Sequence, residues 1–172
     1  YRAAFGGGIL IIDDAQPRLS FLNIIHNHAL WGGGVFVYHS PLVLSHASLI
    51  DNVATMFGGG ISMSGAAHIT SSRIEGNQAL GNDGGGLDIL GPAILTDVIV
   101  TGNFAYGEGG GLQVSGPTQI TSGVFEMNHS TYSGGTVAGD ALTITHTQII
   151  SNRADWSGGG IWVIGPFTSQ DS

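Results

Sequence analysis

Gly32-Gly33-Gly34-Val35-Phe36-Val37-Tyr38 is followed, 26 residues on, by Gly58-Gly59-Gly60-Ile61-Ser62-Met63-Ser64. A third copy, Gly84-Gly85-Gly86-Leu87-Asp88-Ile89-Leu90, comes after another 26. Each glycine triplet opens a segment whose apolar side chains take alternate positions, the period of a strand. Outward from these, triplets begin at Gly6, Gly109 and Gly158, with a degenerate Ser133-Gly134-Gly135 between the last two. Residues 1–172 therefore read as one domain of coils starting near 6, 32, 58, 84, 109, 133 and 158. The first inward position of these segments reads Ile9, Val35, Ile61, Leu87, Leu112, Thr136, Ile161. The second reads Ile11, Val37, Met63, Ile89, Val114, Ala138, Val163, with a chemically mixed outward residue between the two.

The rest of each unit keeps the same register. Asn27, Asn52, Asn77, Asn103, Asn128 and Asn152 recur once per coil. Three residues before each stands an apolar side chain: Ile24, Leu49, Ile74, Val100, Phe125, Ile149. Earlier comes a second apolar series, Leu19, Leu44, Ile69, Leu95, Ile120, Ile144, each followed by Ser or Thr. Gly91-Pro92, Gly116-Pro117 and Gly165-Pro166 mark corners, because proline cannot donate to a strand ladder. A unit of three short strands cannot bury such positions alone, but stacked on its neighbours at ~4.8 Å it can. A helical solenoid is excluded because each interior glycine would cost a helix roughly 1 kcal/mol. A propeller blade needs about 40 residues. The fold expected is all-β: a right-handed parallel β-helix of about 25 residues per coil, with aliphatic ladders in its bore. The asparagines form a structural ladder at an inner bend.

Composition narrows the function. The chain has 30 glycines, 9% charged residues, no lysine and a net charge of -8. Its arginines, Arg2, Arg18, Arg73 and Arg153, are scattered, so nucleic-acid and polybasic membrane binding are excluded. There is no cysteine for disulfides or thiolate metal sites, and no apolar run of the ~20 residues that span a bilayer. A start at Tyr1 without Met or signal pattern reads as a processed product or an excised fragment.

The search for chemistry yields little. Asp51 falls over His26 and under Gly76, the best acid–base pair, but no Arg or second carboxylate joins it. Asp88 stacks between Ser62 and Gln113, and Asp97 between Ser71 and Ser122. Asn82, Asp83 and Asp88 form one copy of a calcium-like pattern that elsewhere needs many copies. The His offsets (His26 and His28 apart from His46, His68, His129 and His146) do not assemble a zinc site. The Asn128-His129-Ser130 sequon lies within the Asn ladder, where a glycan has no room. No catalytic residue, metal or cofactor is assigned. The aromatic residues support two readings, a roof over a corner or a contact surface. On the second, the candidate inter-chain contacts are Tyr1, Phe5, Trp31, Phe36, Trp162 and Phe167.

The alternating motifs Gly32-Gly33-Gly34-Val35 with Leu49 to Asn52, and Gly109-Gly110-Gly111-Leu112 with Phe125 to Asn128, resemble the polymorphic membrane protein repeats of chlamydiae. The resemblance runs from Gly6 to about Gly165, and most units carry an aliphatic residue where that family favours Phe. It implies an exported, cell-surface β-helix used for adhesion or surface architecture. Tyr1 to Phe5 match the end of a repeat and the chain stops after Gly165-Pro166-Phe167 in mid-coil, so both ends read as uncapped. The expected function is an extracellular structural or adhesive element, without enzymatic activity, stacked head to tail into a filament. The alternatives are a piece of a longer adhesin, whose further coils cover the ends, or a module that binds or processes surface glycans.

Overall fold

In the computed structural model, which describes residues 3–171, every strand pairs in parallel with the equivalent strand of an adjacent coil. One coil consists of His28–Trp31, Val35–Tyr38, Leu42–Ser45 and Ser48–Ile50, separated by tight corners. Stacking such coils about seven times gives a parallel β-helix with three sheets and, among the described residues, no α-helix. The first sheet holds 7 strands, from Ala3–Phe5 to Arg153–Ala154. The second holds both the Val35-type and the Leu42-type strands, which fuse in Leu112–Thr121 and Val137–Thr145. The third holds 6, from Asn23–Ile25 to Gln148–Ile150. A coil thus has four strands where three were expected. The additional one is the short strand after each Asn, whose Ala29, Ala54, Ala79, Ala105 and Ser130 are all buried.

The bore follows the apolar positions read from the sequence. Leu44, Ile69, Leu95 and Ile120 stack in register and are fully enclosed, and so do Leu49, Ile74, Val100 and Phe125. Each complete coil turns through left-handed backbone at three or four corners. One is the first glycine of each triplet, with φ from 57° to 68°. Another precedes each Asn: His26, Asp51, Gly76, Gly102, Met127 and Ser151, with φ from 52° to 63°. Left-handed backbone costs a non-glycine residue roughly 1–2 kcal/mol, so these corners need compensating bonds.

The Asn ladder supplies them. Asn52 Nδ2 donates to Ile24 O at 2.8 Å and to Asn77 Oδ1 at 3.0 Å. Its own Oδ1 accepts from both the backbone N and the Nδ2 of Asn27, each at 3.0 Å. The same bonds repeat through Asn77, Asn103 and Asn128, and Asn152 closes the ladder with its bond to Phe125 O. Asn128 is completely buried, so the sequon is closed to a glycan as expected. The glycine triplet packs beside this ladder: a Cβ on Gly33 would meet Gly59 O and the Val53 backbone, and one on Gly34 would lie 3.2 Å from Asn52 Cγ.

The sixth coil differs from the sequence reading by one residue. Its left-handed glycine is Gly134, so the triplet is Gly134-Gly135-Thr136 and the coil does not start at Ser133. Leu112 pairs with Val137 and Val114 with Gly139, which makes Val137 and Gly139 the inward positions instead of Thr136 and Ala138. Thr136 fills the third glycine slot, where its hydroxyl is buried without a partner.

Two expected outcomes test the core. Leu95→Asp places an unpaired carboxylate in the bore and should lower stability by several kcal/mol, read as loss of the cooperative thermal transition. Asn77→Ala orphans two buried donors on Asn52 and should cost on the order of 3 kcal/mol in denaturant titration. The exposed Asn23→Ala should stay within about 0.5 kcal/mol. Equal effects of the two Asn substitutions would contradict the ladder.

Candidate functional site

Because coils stack in register, each position in the repeat becomes a column on the surface, and the chemistry of a column is read along it. The residues just before the glycine triplets form one. Gly6 N bonds Trp31 O, Gly32 N bonds Phe57 O, Gly58 N bonds Asp83 O and Gly84 N bonds Glu108 O. This corner column therefore runs Phe5, Trp31, Phe57, Asp83, Glu108. Beside it, the outward row of the second sheet runs Leu10, Phe36, Ser62, Asp88, Gln113. The corner column changes from apolar to acidic at the fourth coil, where the row, through Ser62, reaches Asp88.

The apolar half is a groove of about 630 Å³, with Phe5, Trp31, Phe36 and Tyr38 among its walls and Ser62 within it. Phe5 and Phe36 lie 4.9 Å apart between ring centres, and Trp31 and Phe57 5.1 Å. The sequence treats the middle of each strand as an exposed outward face. Instead Phe36, Ser62 and Asp88 are only 8%, 3% and 4% exposed. The corner residues pack against the row from the side: Phe5 and Trp31 contact Phe36, and Gly84 lies against Asp88.

The acidic half is desolvated. Ser62 Oγ donates to Asp88 Oδ2 at 3.0 Å, and the backbone N of Glu108 donates to Asp83 Oδ1 at 2.8 Å. Burial raises the Asp88 carboxyl to about 7, opposed by the Ser62 bond and reinforced by Asp83. Burial also raises Asp83, against the Glu108 bond, and raises Glu108 together with the Asp83 charge. Gln113, next along the row, has its Oε1 buried without a partner. Among the described residues, no ion pair includes any of these three carboxyls. Nor do three or more His, Cys, Asp or Glu gather there as metal ligands.

The other candidates are placed as follows. His26 Nε2 and Asp51 Oδ2 stand 3.5 Å apart on the left-handed corner, both mostly exposed, with Gly76 on the next rung. Asp97 sits at the corner between Ser71 and Ser122. The His offsets need one correction. His28 and His129 share a column, because both follow a ladder Asn, yet Val53, Gln78 and Phe104 intervene. Among the inter-chain candidates, Phe5, Trp31 and Phe36 cluster at one end, while Trp162 and Phe167 lie on the last coil at the other. Tyr1 lies outside the described residues. The acidic row is the group the sequence search underrated; the spacing of Asp88 five residues after Asp83, across one triplet, was its signal.

No family model matches this chain, and no curated protein or solved structure is significantly similar to it.

The raised Asp88 carboxyl sets a pH dependence. Between the ordinary aspartate value of 3.8 and about 7, the folded chain holds a proton that the unfolded chain has released. Stability from this group is therefore full below pH ~4 and lost as pH rises through 7. Asp88→Asn should be more stable than the parent at pH 8, by a few kcal/mol at most, and the difference should vanish near pH 4. Denaturant midpoints at the two pH values check this; a variant less stable at pH 8 would contradict the buried acid.

Proposed function

We propose that this chain is a structural and adhesive β-helix of an extracellular surface, extended by end-to-end stacking of copies and without turnover of its own. The observation that supports it is that the coils repeat in register along one axis, so that strands of the first and second sheets in a second copy would find the same columns. On one side the edge strands are Ala3–Phe5, Ile9–Ile12, Arg18–Ser20 and Asn23–Ile25. On the other they include Arg153–Ala154, Ile161–Val163 and Phe167–Gln170. Bore side chains there are only partly covered: Ile9, Ile11 and Leu19 at the first edge, Ile149, Ile161 and Val163 at the second. Unpaired strand edges with apolar side chains recruit further strands. Here the repeat would set Ile161 under Ile9, Val163 under Ile11 and Trp162 under Leu10 of the next copy, as the same columns do inside the solenoid.

Such a contact joins different surfaces and does not close, so it propagates a filament. The reading of no turnover rests on the open corner of His26 and Asp51, where among the described residues no arginine or second carboxylate is paired with either side chain. Surface glycans and further coils of a longer chain are the competing partners. Sizing by light scattering across micromolar concentrations, with negative-stain images, tests the reading. The expected result is concentration-dependent fibres one solenoid wide. Leu10→Glu, at a half-exposed site, should abolish them while leaving the melting curve unchanged. A monomer at every concentration would overturn the proposal.

A further inference from the structure

A polar pocket lies on the side of the solenoid, on its second to fourth coils, with further coils stacked on both sides of them. Two surface columns frame it. The left-handed corner that follows the Leu42–Ser45-type strands contributes His46, Ser71 and Asp97, with φ from 45° to 52°. The outward row of the third sheet contributes Ser48, Arg73 and Ile99, paired in register. The column between these two turns inward, and its buried Ala47 and Ser72 make a floor of small side chains. We infer that this pocket binds one neutral hexose unit of a glycan.

Three features specify that chemistry. The first is size: the pocket holds about 410 Å³, toward the small end of the ~300–1,000 Å³ of ligand pockets. The second is its supply of hydrogen-bonding groups. Among the described residues, the side chains of His46, Ser48, Ser71 and Asp97 make no hydrogen bond or ion pair. Arg73 bonds Glu75 through Nε and keeps its terminal N–H groups. On the floor, Ser72 Oγ donates to Thr70 O at 2.7 Å and accepts from Ala47 N at 3.2 Å, which leaves it one further lone pair. Neighbouring hydroxyls of a sugar both donate and accept, so they suit a carboxylate, a guanidinium and serine hydroxyls set one strand spacing apart. Ile99 and Ala47 offer apolar surface to the C–H face of the ring. The third feature is charge. Glu75 offsets Arg73 and Asp97 is unpaired, so an anion meets net negative charge. An ammonium would engage Asp97 but leave the N–H groups of Arg73 without an acceptor. The site serves a single chain as well as a filament, so it does not rest on end-to-end stacking.

Calorimetric titration of the full chain tests the inference. The probes are linear tetrasaccharides of glucose, of mannose and of galactose, and anionic tetragalacturonate. At least one neutral tetrasaccharide should bind in the millimolar range, and tetragalacturonate more weakly. Asp97→Asn, which keeps a side chain that tolerates left-handed backbone, should weaken the neutral glycan about tenfold by removing a charged acceptor. Ser48→Trp fills the pocket and should abolish binding. Both substitutions are on outward positions and should leave the melting curve unchanged, as should the control Gln119→Ala, which is exposed on the second sheet and should bind like the parent. Leu10→Glu should also bind like the parent, so loss of fibres and loss of glycan binding are separate results. No binding of any neutral tetrasaccharide at ~10 mM, tetragalacturonate bound as tightly as the best of them, or unchanged affinity in either pocket variant would overturn the inference.

Discussion

The hydrogen-bonded column of asparagine amides is the interaction on which the rest of this solenoid depends. Each interior amide, from Asn52 to Asn128, is saturated by one neighbouring coil on either side: its oxygen accepts two bonds and its nitrogen donates two. One of the donated bonds goes to the carbonyl of the apolar residue three places before the preceding Asn, as from Asn77 to Leu49 and from Asn103 to Ile74. The polar ladder therefore holds the bore residue itself in register. A coil displaced by one residue would lose these bonds and turn its aliphatic side chains to the other face of the sheet. The triplet glycines follow from the same constraint. The corner after the Asn strand passes so close to the next coil that Gly33 and Gly59 tolerate no side chain.

This dependence explains what the sequence discloses. Periodicity determines which side chains face the bore, and Leu44, Leu95 and Phe125 are enclosed as their spacing requires. The Asn ladder is legible because an amide is the one side chain that can both donate to and accept from its own copies. The sixth coil shows where glycine counting fails. The interval from the ladder Asn to the corner glycine runs from five residues at Gly32 to seven at Gly84, so neither glycine counting nor the ladder places this corner, and the pairing of Leu112 with Val137 does. Local similarity misled because Ser133 occupies the column of Glu108, whose members range from Phe5 and Trp31 to Asp83 and so give no fixed residue type to match.

The outward row was harder to read for a different reason. Period two states that Phe36, Ser62 and Asp88 point away from the bore; it is silent on what lies over them. That depends on corner length, which varies from coil to coil. Two residues lie between Ala29 and Gly32, whereas four lie between Ala79 and Gly84. Side chains on these corners close over the strand centre, so Asp88 is as buried as a bore residue while belonging to the opposite face. The consequence is electrostatic: a carboxyl that would be ordinary on an open sheet is held near neutrality by burial.

A parallel solenoid also determines how such a row acquires chemistry. Like side chains stack at the strand spacing, which favours aromatic on aromatic and amide on amide but disfavours carboxylate on carboxylate. Asp83 and Glu108 adjoin in one column, and Asp88 lies beside Asp83 in the next. Ser62 and the Glu108 backbone N–H supply bonds that lower the Asp88 and Asp83 carboxyls, yet burial outweighs both. The unmet demand is thus for charge, and the fold cannot meet it internally because the described chain places its paired arginines on other columns. Burial of the row is therefore a cost to the coils that form it, and the cost grows as the carboxyls take up charge.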